Sequence, residues 1–325
     1  MRALIYNRTL RLERSAANPT PGHNEALIRV QCAGICNTDL ELLRGLYSFS
    51  GILGHEFVGT VVQGPAEWLE RRVVGEINVA CNVCDFCRRG IPSQCRNRTT
   101  VGINGHPGVF ADYVCLPTRN LHAVPAEVGN DAAVFVEPLA AALQILEAVQ
   151  ITPSQRVIVI GAGKLGMLAA QVLKLTGADL TTVVRHTRQA DLLSRWGIRA
   201  ADINDLEPEG AQVVIDCTGR AEGFASALSL VEPRGTLVLK STYQGLPSVD
   251  MTQIVVREIK LIGSRCGPFD AALRLLQSRL VDVEALIEAR YSLDDAPSAL
   301  THAAQQGALK VLLDIENTGN GDKKS

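Results

Sequence analysis

The sequence predicts an α/β protein of two domains, one β-rich and the other a doubly wound parallel sheet. Three observations carry that expectation. Residues 1–135 hold short apolar runs divided by Gly, Pro and Asn, the texture of short strands and turns. Residues 136–270 alternate strand-like and helix-like stretches, which implies a parallel sheet covered on both faces. A Gly-Ala-Gly-Lys-Leu-Gly turn, residues 161–166, follows the first strand of that series and opens a helix.

The elements follow in order. Residues 26–30 and 57–62 are apolar-rich strands of the first domain. The texture changes near Pro138, where residues 139–149 form a helix rich in Ala and Leu. The run Arg-Val-Ile-Val-Ile at 156–160 is a short apolar strand, followed by a helix over 164–176. Residues 180–184 make a second strand and 187–196 a second helix. Strands over 212–216, 236–239 and 259–263 continue the series. Residues 271–315 hold two or three helices and a closing strand at 309–313. The polar tail, 317–325, reads as a frayed end.

Bulk properties exclude several function classes. A length of 325 residues fits about two domains, and 46% hydrophobic residues can fill both cores. The net charge of −2 offers no electrostatic reason to bind nucleic acid or an anionic membrane. No apolar run reaches the ~18 residues of a membrane span. The first seven residues, MRALIYN, lack the apolar core and cleavage site of a signal peptide. Nine cysteines is an odd count, and four of them cluster. That favours a reducing cytoplasm with metal thiolates over a disulfide scaffold.

The cluster is Cys81, Cys84, Cys87 and Cys95. Thiolates so spaced can wrap one tetrahedral Zn²⁺ as a closed structural site. The alternative is a disulfide knot or a set of surface thiols. In the glycine turn, Gly161 makes the bend, Gly163 admits a pyrophosphate, and Gly166 lets helix and strand pack closely. The helix N-terminus then offers free N–H groups and positive dipole to the phosphates. A glycine-rich turn without ligand is the plainer reading. Dinucleotide sites for NAD carry a carboxylate at the end of the second strand. Here the chain reads Val184, Arg185, His186, Thr187, Arg188. Two guanidiniums suit the 2′-phosphate of NADP, although both arginines could simply be solvated.

Metal-ligand chemistry recurs outside the quartet, in Cys36-Asn37-Thr38-Asp39, in Gly54-His55-Glu56-Phe57 and in Glu137-Pro138-Leu139. Each alone is weak, since a single His or Cys is more often a structural residue. Together with the quartet and the glycine turn, these stretches resemble the zinc-containing medium-chain dehydrogenase/reductase family, the alcohol, sorbitol and threonine dehydrogenase-like superfamily. The match runs over nearly the whole chain and includes CAGICNTD at 32–39, GHEFVG at 54–59 and EPL at 137–139.

The resemblance implies a GroES-like catalytic domain from residues 1–135 and 271–325. A Rossmann domain, 136–270, is inserted in it, with the active site in the cleft between them. It implies two zinc ions per chain. Cys36, His55 and Glu137 would hold the catalytic one, with Glu56 able to approach or replace a ligand. Asp39 would orient His55, and Thr38 would relay the substrate proton. Cofactor contacts would come from Gly161, Gly163, Lys164, Leu165, Gly166, Arg185, Arg188, Thr218 and Lys310. A strand lysine such as Lys310 is, however, more often just exposed.

Two positions depart from the family pattern. Glu41 stands where many relatives have a proton-relaying His, and serves either as acid/base or as a solvated helix residue. Asn37 stands where some relatives have Arg or His. The implied reaction passes a hydride between an alcohol or polyol and NADP or NAD, NADP being favoured. The polyol preference rests on Glu137. The alternatives are an NAD-dependent dehydrogenase of an amino-acid or biosynthetic alcohol, and a catalytically idle dinucleotide- or zinc-binding protein. A homodimer or homotetramer, pairing through the edge strand near 259–263, is also implied.

Overall fold

The computed structural model describes residues 1–45, 48–242 and 248–316, so the polar tail lies outside the described residues. The chain divides into two compact units, Met1–Glu137 with Leu273–Ser325, and Pro138–Ala272.

In the first unit, the long strand Glu25–Gly34 organises a seven-stranded sheet. Glu56–Gln63 pairs with it antiparallel on one side, followed by Arg72–Gly75 and Leu121–Ala123. On its other side it pairs with Lys310–Asp314, which in turn pairs with Ile287–Ser292; Tyr113–Pro117 pairs with it as well. This return of the chain end is why residues far apart in sequence share one unit. Alternation along Glu25–Gly34 sends Ala26, Ile28 and Val30 into a core with Phe57, Val61, Phe110, Leu116, Leu300 and Leu313. Register sets Gly34 opposite Glu56 on one side and Leu312 on the other.

The second unit is a six-stranded parallel sheet. Its order is Arg199–Ala201, Asp179–Val183, Arg156–Ile160, Ala211–Asp216, Val231–Leu239, Lys260–Gly263. The apolar run at 156–160 is buried after its first residue, as expected for a strand covered on both faces. The helices Lys164–Lys174 and Thr187–Arg195 follow their strands as the alternation predicts. Ile158, Ile160, Val214, Phe224 and Leu237 form one core of this unit.

Two expectations need correction. The strand expected at 236–239 starts at Val231, across a register shift where Arg234 has φ +65° and Pro233 interrupts the pattern. Residues 271–315 hold the α-helices Phe269–Gln277 and Ala296–Ala303, but also the unforeseen strand Ile287–Ser292. That strand is an edge of its sheet with no fully buried residue, so it lacks a clear hydrophobic period. Among the described residues no helix is long and apolar enough to cross a membrane.

Candidate active site and metal centres

The cysteine quartet closes on itself. All four sulfurs lie within 4.8 Å of one another. Cys84 Sγ is 3.5 Å from Cys87 Sγ and 3.8 Å from Cys95 Sγ. Thiolates about 2.3 Å from a tetrahedral Zn²⁺ stand about 3.8 Å apart, so the spacing suits that ion. Every cysteine among the described residues is a free thiol, which removes the disulfide knot. Backbone N–H groups of Val83 and Cys84 point at Cys81 Sγ and pull its pKa down to about 6. Desolvation and the neighbouring Cys84 push Cys87 up to about 12. Four thiols this close cannot all ionise by themselves, and a divalent ion held there would supply the missing positive charge. Asp85 holds Arg96 through two hydrogen bonds of 2.7 and 2.8 Å, and Arg96 lies 4.9 Å from the Phe86 ring centroid. These contacts brace the lobe from outside.

The second group is assembled from separate segments. Cys36 is the N-cap of helix Asn37–Leu43, and its N–H donates to Asp39 Oδ2 at 2.9 Å. That turn sets Thr38 Oγ1 3.7 Å from Cys36 Sγ. His55 and Glu56 come from the start of strand Glu56–Gln63, next to Gly34 in the sheet. Ligand atoms of Cys36, His55 and Glu56 lie within 4.8 Å of one another. His55 is enclosed, with Nδ1 3.2 Å from the buried Asp39 Oδ1. Neither atom completes a hydrogen bond at that separation, and Glu56 Oε1 also has no partner. Burial opposes charge on His55, but Asp39 and Cys36 outweigh it and raise its pKa well above the usual range. A field that binds a proton so firmly also attracts a divalent cation. Unpartnered buried acceptors, a thiol and an imidazole are a donor set that fits zinc.

The expected ligand Glu137 does not join this three-residue group. It sits in the first turn of helix Val136–Ala148 and contributes to the field around Lys310. Lys310 is not on an exposed face. It is 1% exposed, and its ammonium donates to Glu56 Oε2. Sequence gave no sign of this pair, whose members are 254 positions apart. Glu41 accepts from Arg44 at 2.7 Å along its own helix, and Asn37 is exposed.

In the parallel-sheet unit, Gly161 takes φ +99°, and a Cβ on Gly166 would overlap the Gly161 carbonyl oxygen. Gly163 is the N-cap of helix Lys164–Lys174 with no side chain capping it, and a Cβ there would meet nothing within 4 Å. No side chain therefore caps the helix start at Lys164 and Leu165. Arg185 and Arg188 are exposed just past strand Asp179–Val183. Thr218 spends its N–H and hydroxyl on Asp216 Oδ1, at 2.9 and 2.7 Å. The buried Asp216, also reached by Ser241 Oγ at 3.2 Å, shapes this turn and was not anticipated. A carboxylate ending a central parallel strand was the available signal.

Comparison with known proteins agrees with this arrangement. Residues 22–126 match the family described as alcohol dehydrogenase GroES-like domain, and residues 165–278 match zinc-binding dehydrogenase. A sorbitol dehydrogenase of Halalkalibacterium halodurans is 30% identical over 320 residues, covering 91% of this chain and 93% of that protein. An L-threonine 3-dehydrogenase of Anaeromyxobacter dehalogenans is 29% identical, covering 91% and 92%. The crystal structure of a putative zinc-binding dehydrogenase from Sinorhizobium meliloti, bound to NADP, superposes with a TM-score of 0.88 at 28% identity, covering 97% of this chain and 99% of that one. The sheets, the two metal-ligand groups and these matches together make this chain a member of the zinc-containing medium-chain dehydrogenase/reductase family, with the GroES-like and Rossmann-like folds of a dehydrogenase.

Proposed function

We propose that the protein passes a hydride between an alcohol or polyol, or its carbonyl form, and NADP in preference to NAD. The observation that carries this reading is the convergence of Cys36, His55 and Glu56 with unpartnered acceptor atoms in a buried site. A zinc ion held there, with Glu137 as a further candidate ligand, would polarise the substrate oxygen, and bound NADP would exchange hydride with the carbinol carbon. The residues do the rest. Asp39 fixes the tautomer and orientation of His55. The Thr38 hydroxyl, beside Cys36 Sγ, takes the proton of the substrate hydroxyl. Glu41 is the proposed next acceptor. Glu41→Gln would then lower kcat and shift its pH profile, and an unchanged profile would remove it from the relay.

The uncapped helix end at Gly163 would receive the pyrophosphate, with Lys164 and Leu165 supplying N–H groups. Arg185 and Arg188 pair with the 2′-phosphate, and Thr218 lines the turn beside the cofactor. The cysteine quartet would hold a second zinc that stabilises its lobe. Likeness to a sorbitol dehydrogenase supports a polyol substrate. Comparable likeness to a threonine dehydrogenase keeps an amino-acid alcohol as the second reading. Strand Lys260–Gly263, an edge of its sheet with Leu261 exposed, supports self-association into a dimer or tetramer.

The test is reduction of NADP⁺ and NAD⁺, followed by absorbance, with polyols, simple alcohols and threonine. NADP⁺-linked oxidation of a polyol is expected. Turnover of threonine with NAD⁺ alone would favour the second reading, and no turnover with either cofactor would reject both.

A further inference from the structure

Lys310 and Glu56 meet across a strand that separates them. Glu56 lies on one neighbour of Glu25–Gly34 and Lys310 on the other. Their side chains join over Gly34, where a Cβ would overlap Glu56 Oε2, stand 2.8 Å from Val134 Cγ1 and 3.4 Å from Lys310 Cδ. The contact therefore exists only because the intervening strand carries no side chain at that point. Both partners are enclosed, and Lys310 Nζ lies 5.5 Å from the Phe135 ring centroid. Inside this enclosure the Lys310 ammonium is paired directly with the Glu56 carboxylate.

This leaves Glu56 divided. One oxygen is held by Lys310, and the other has no partner. A carboxylate oxygen of Glu56 is within 4.8 Å of the ligand atoms of Cys36 and His55. The carboxylate thus stands between a resident ammonium and the place of a divalent ion. Each cation draws it, and the two cations repel each other.

We infer that Lys310 is a positioning residue that restrains Glu56 from full ligation of the metal, so that the ion is held less tightly and a coordination position stays open for the substrate oxygen. This inference rests on the proposed zinc site at Cys36 and His55. A catalytic zinc needs an open position, and a fourth protein ligand would close it. The tether supplies a carboxylate close enough to keep the ion in place but not free to occupy that position.

The test uses the full chain loaded with cobalt(II), whose absorption separates a four-thiolate site from one with a single thiolate. The rate of metal transfer to a chelator is read for each site. In Lys310→Met, Glu56 is released toward the metal and the opposing charge is gone. Transfer from the single-thiolate site is expected to slow by roughly ten-fold or more, with a change in its visible bands. Lys310→Arg should restore wild-type behaviour, and adding Glu56→Gln to Lys310→Met should abolish the slowing. Should Lys310→Met not fold, Lys310→Gln, which keeps a polar end without the charge, is read in the same way.

Transfer within about two-fold of wild type in the neutral variants would overturn the inference, since removing a charge beside a divalent ion must register. A higher KM for NADP with unchanged metal transfer would instead make Lys310 a cofactor contact. If the wild-type chain holds metal only in the cysteine quartet, the proposed catalytic centre fails and this inference with it. Two metals per chain with unchanged transfer overturn this inference alone.

Discussion

The two metal-ligand groups are built on opposite plans. The quartet uses four like ligands from one short segment, three of them only half-buried, with backbone N–H groups already pointed at sulfur. The Cys36, His55, Glu56 group mixes sulfur, nitrogen and oxygen in a largely buried place, with Asp39 behind the imidazole and Lys310 behind the carboxylate. Four thiolates saturate a tetrahedral ion and leave it nothing to do but hold the lobe together. A mixed set with supporting groups tunes an ion and keeps it accessible. The difference teaches that ligand number alone does not make a site catalytic. The charges behind the ligands decide how far the ion is enclosed.

That contrast can be broken most sharply by removing one thiol from each group. Cys36→Ser is expected to lower kcat/KM by roughly 10³-fold, since it takes away metal-based charge stabilisation, while the melting temperature changes little. Cys84→Ser is expected to cost ~3 kcal/mol or more of stability, because an ion held by the quartet would be part of folding. Equal loss of stability in both variants, followed by thermal melts, would erase the distinction.

A smaller effect sharpens the role of the groups behind the ligands. Asp39→Asn should reduce metal affinity or turnover roughly 10–100-fold, measured by chelator competition, with the quartet metal retained. Smaller again, Arg185→Ala or Arg188→Ala should raise KM for NADP about ten-fold through loss of a charge-assisted contact, and leave KM for NAD unchanged. Parallel changes with both cofactors would show that the arginines do not read the 2′-phosphate.

Thiol reactivity gives the mildest test. Thiolate is the nucleophile, so a thiol reacts once pH exceeds its pKa. In metal-stripped protein Cys81, pulled down to about 6, should alkylate at neutral pH. Cys217, pushed up to about 12 by burial, should stay unmodified until the chain unfolds. Peptide mass mapping distinguishes them, and labelling of Cys217 as early as Cys81 would contradict the difference in pKa.

The quartet was legible in the sequence because all its information is local: three spacings bring four sulfurs of one short segment together, two at the helix Asp85–Arg88 and one at the end of the turn Pro92–Gln94. The parallel sheet was legible for a related reason, since strands such as Arg156–Ile160 are covered on both faces and read as unbroken apolar runs. The edge strand Ile287–Ser292, half-exposed along its length, carried no such pattern. That Glu56 stands close to Cys36 and His55 depends on strand register, which motif spacing does not encode. Lys310 was hardest to read. Its partner lies two strands away across Gly34, and its burial is stable only because of that distant carboxylate.

The most direct test of the two-centre account is zinc per chain in wild type and in Cys36→Ser, measured beside the thermal melt. The account predicts two zinc ions falling to one, with the melt preserved and turnover lost. One zinc in both proteins, or loss of both ions together with the fold, would contradict it.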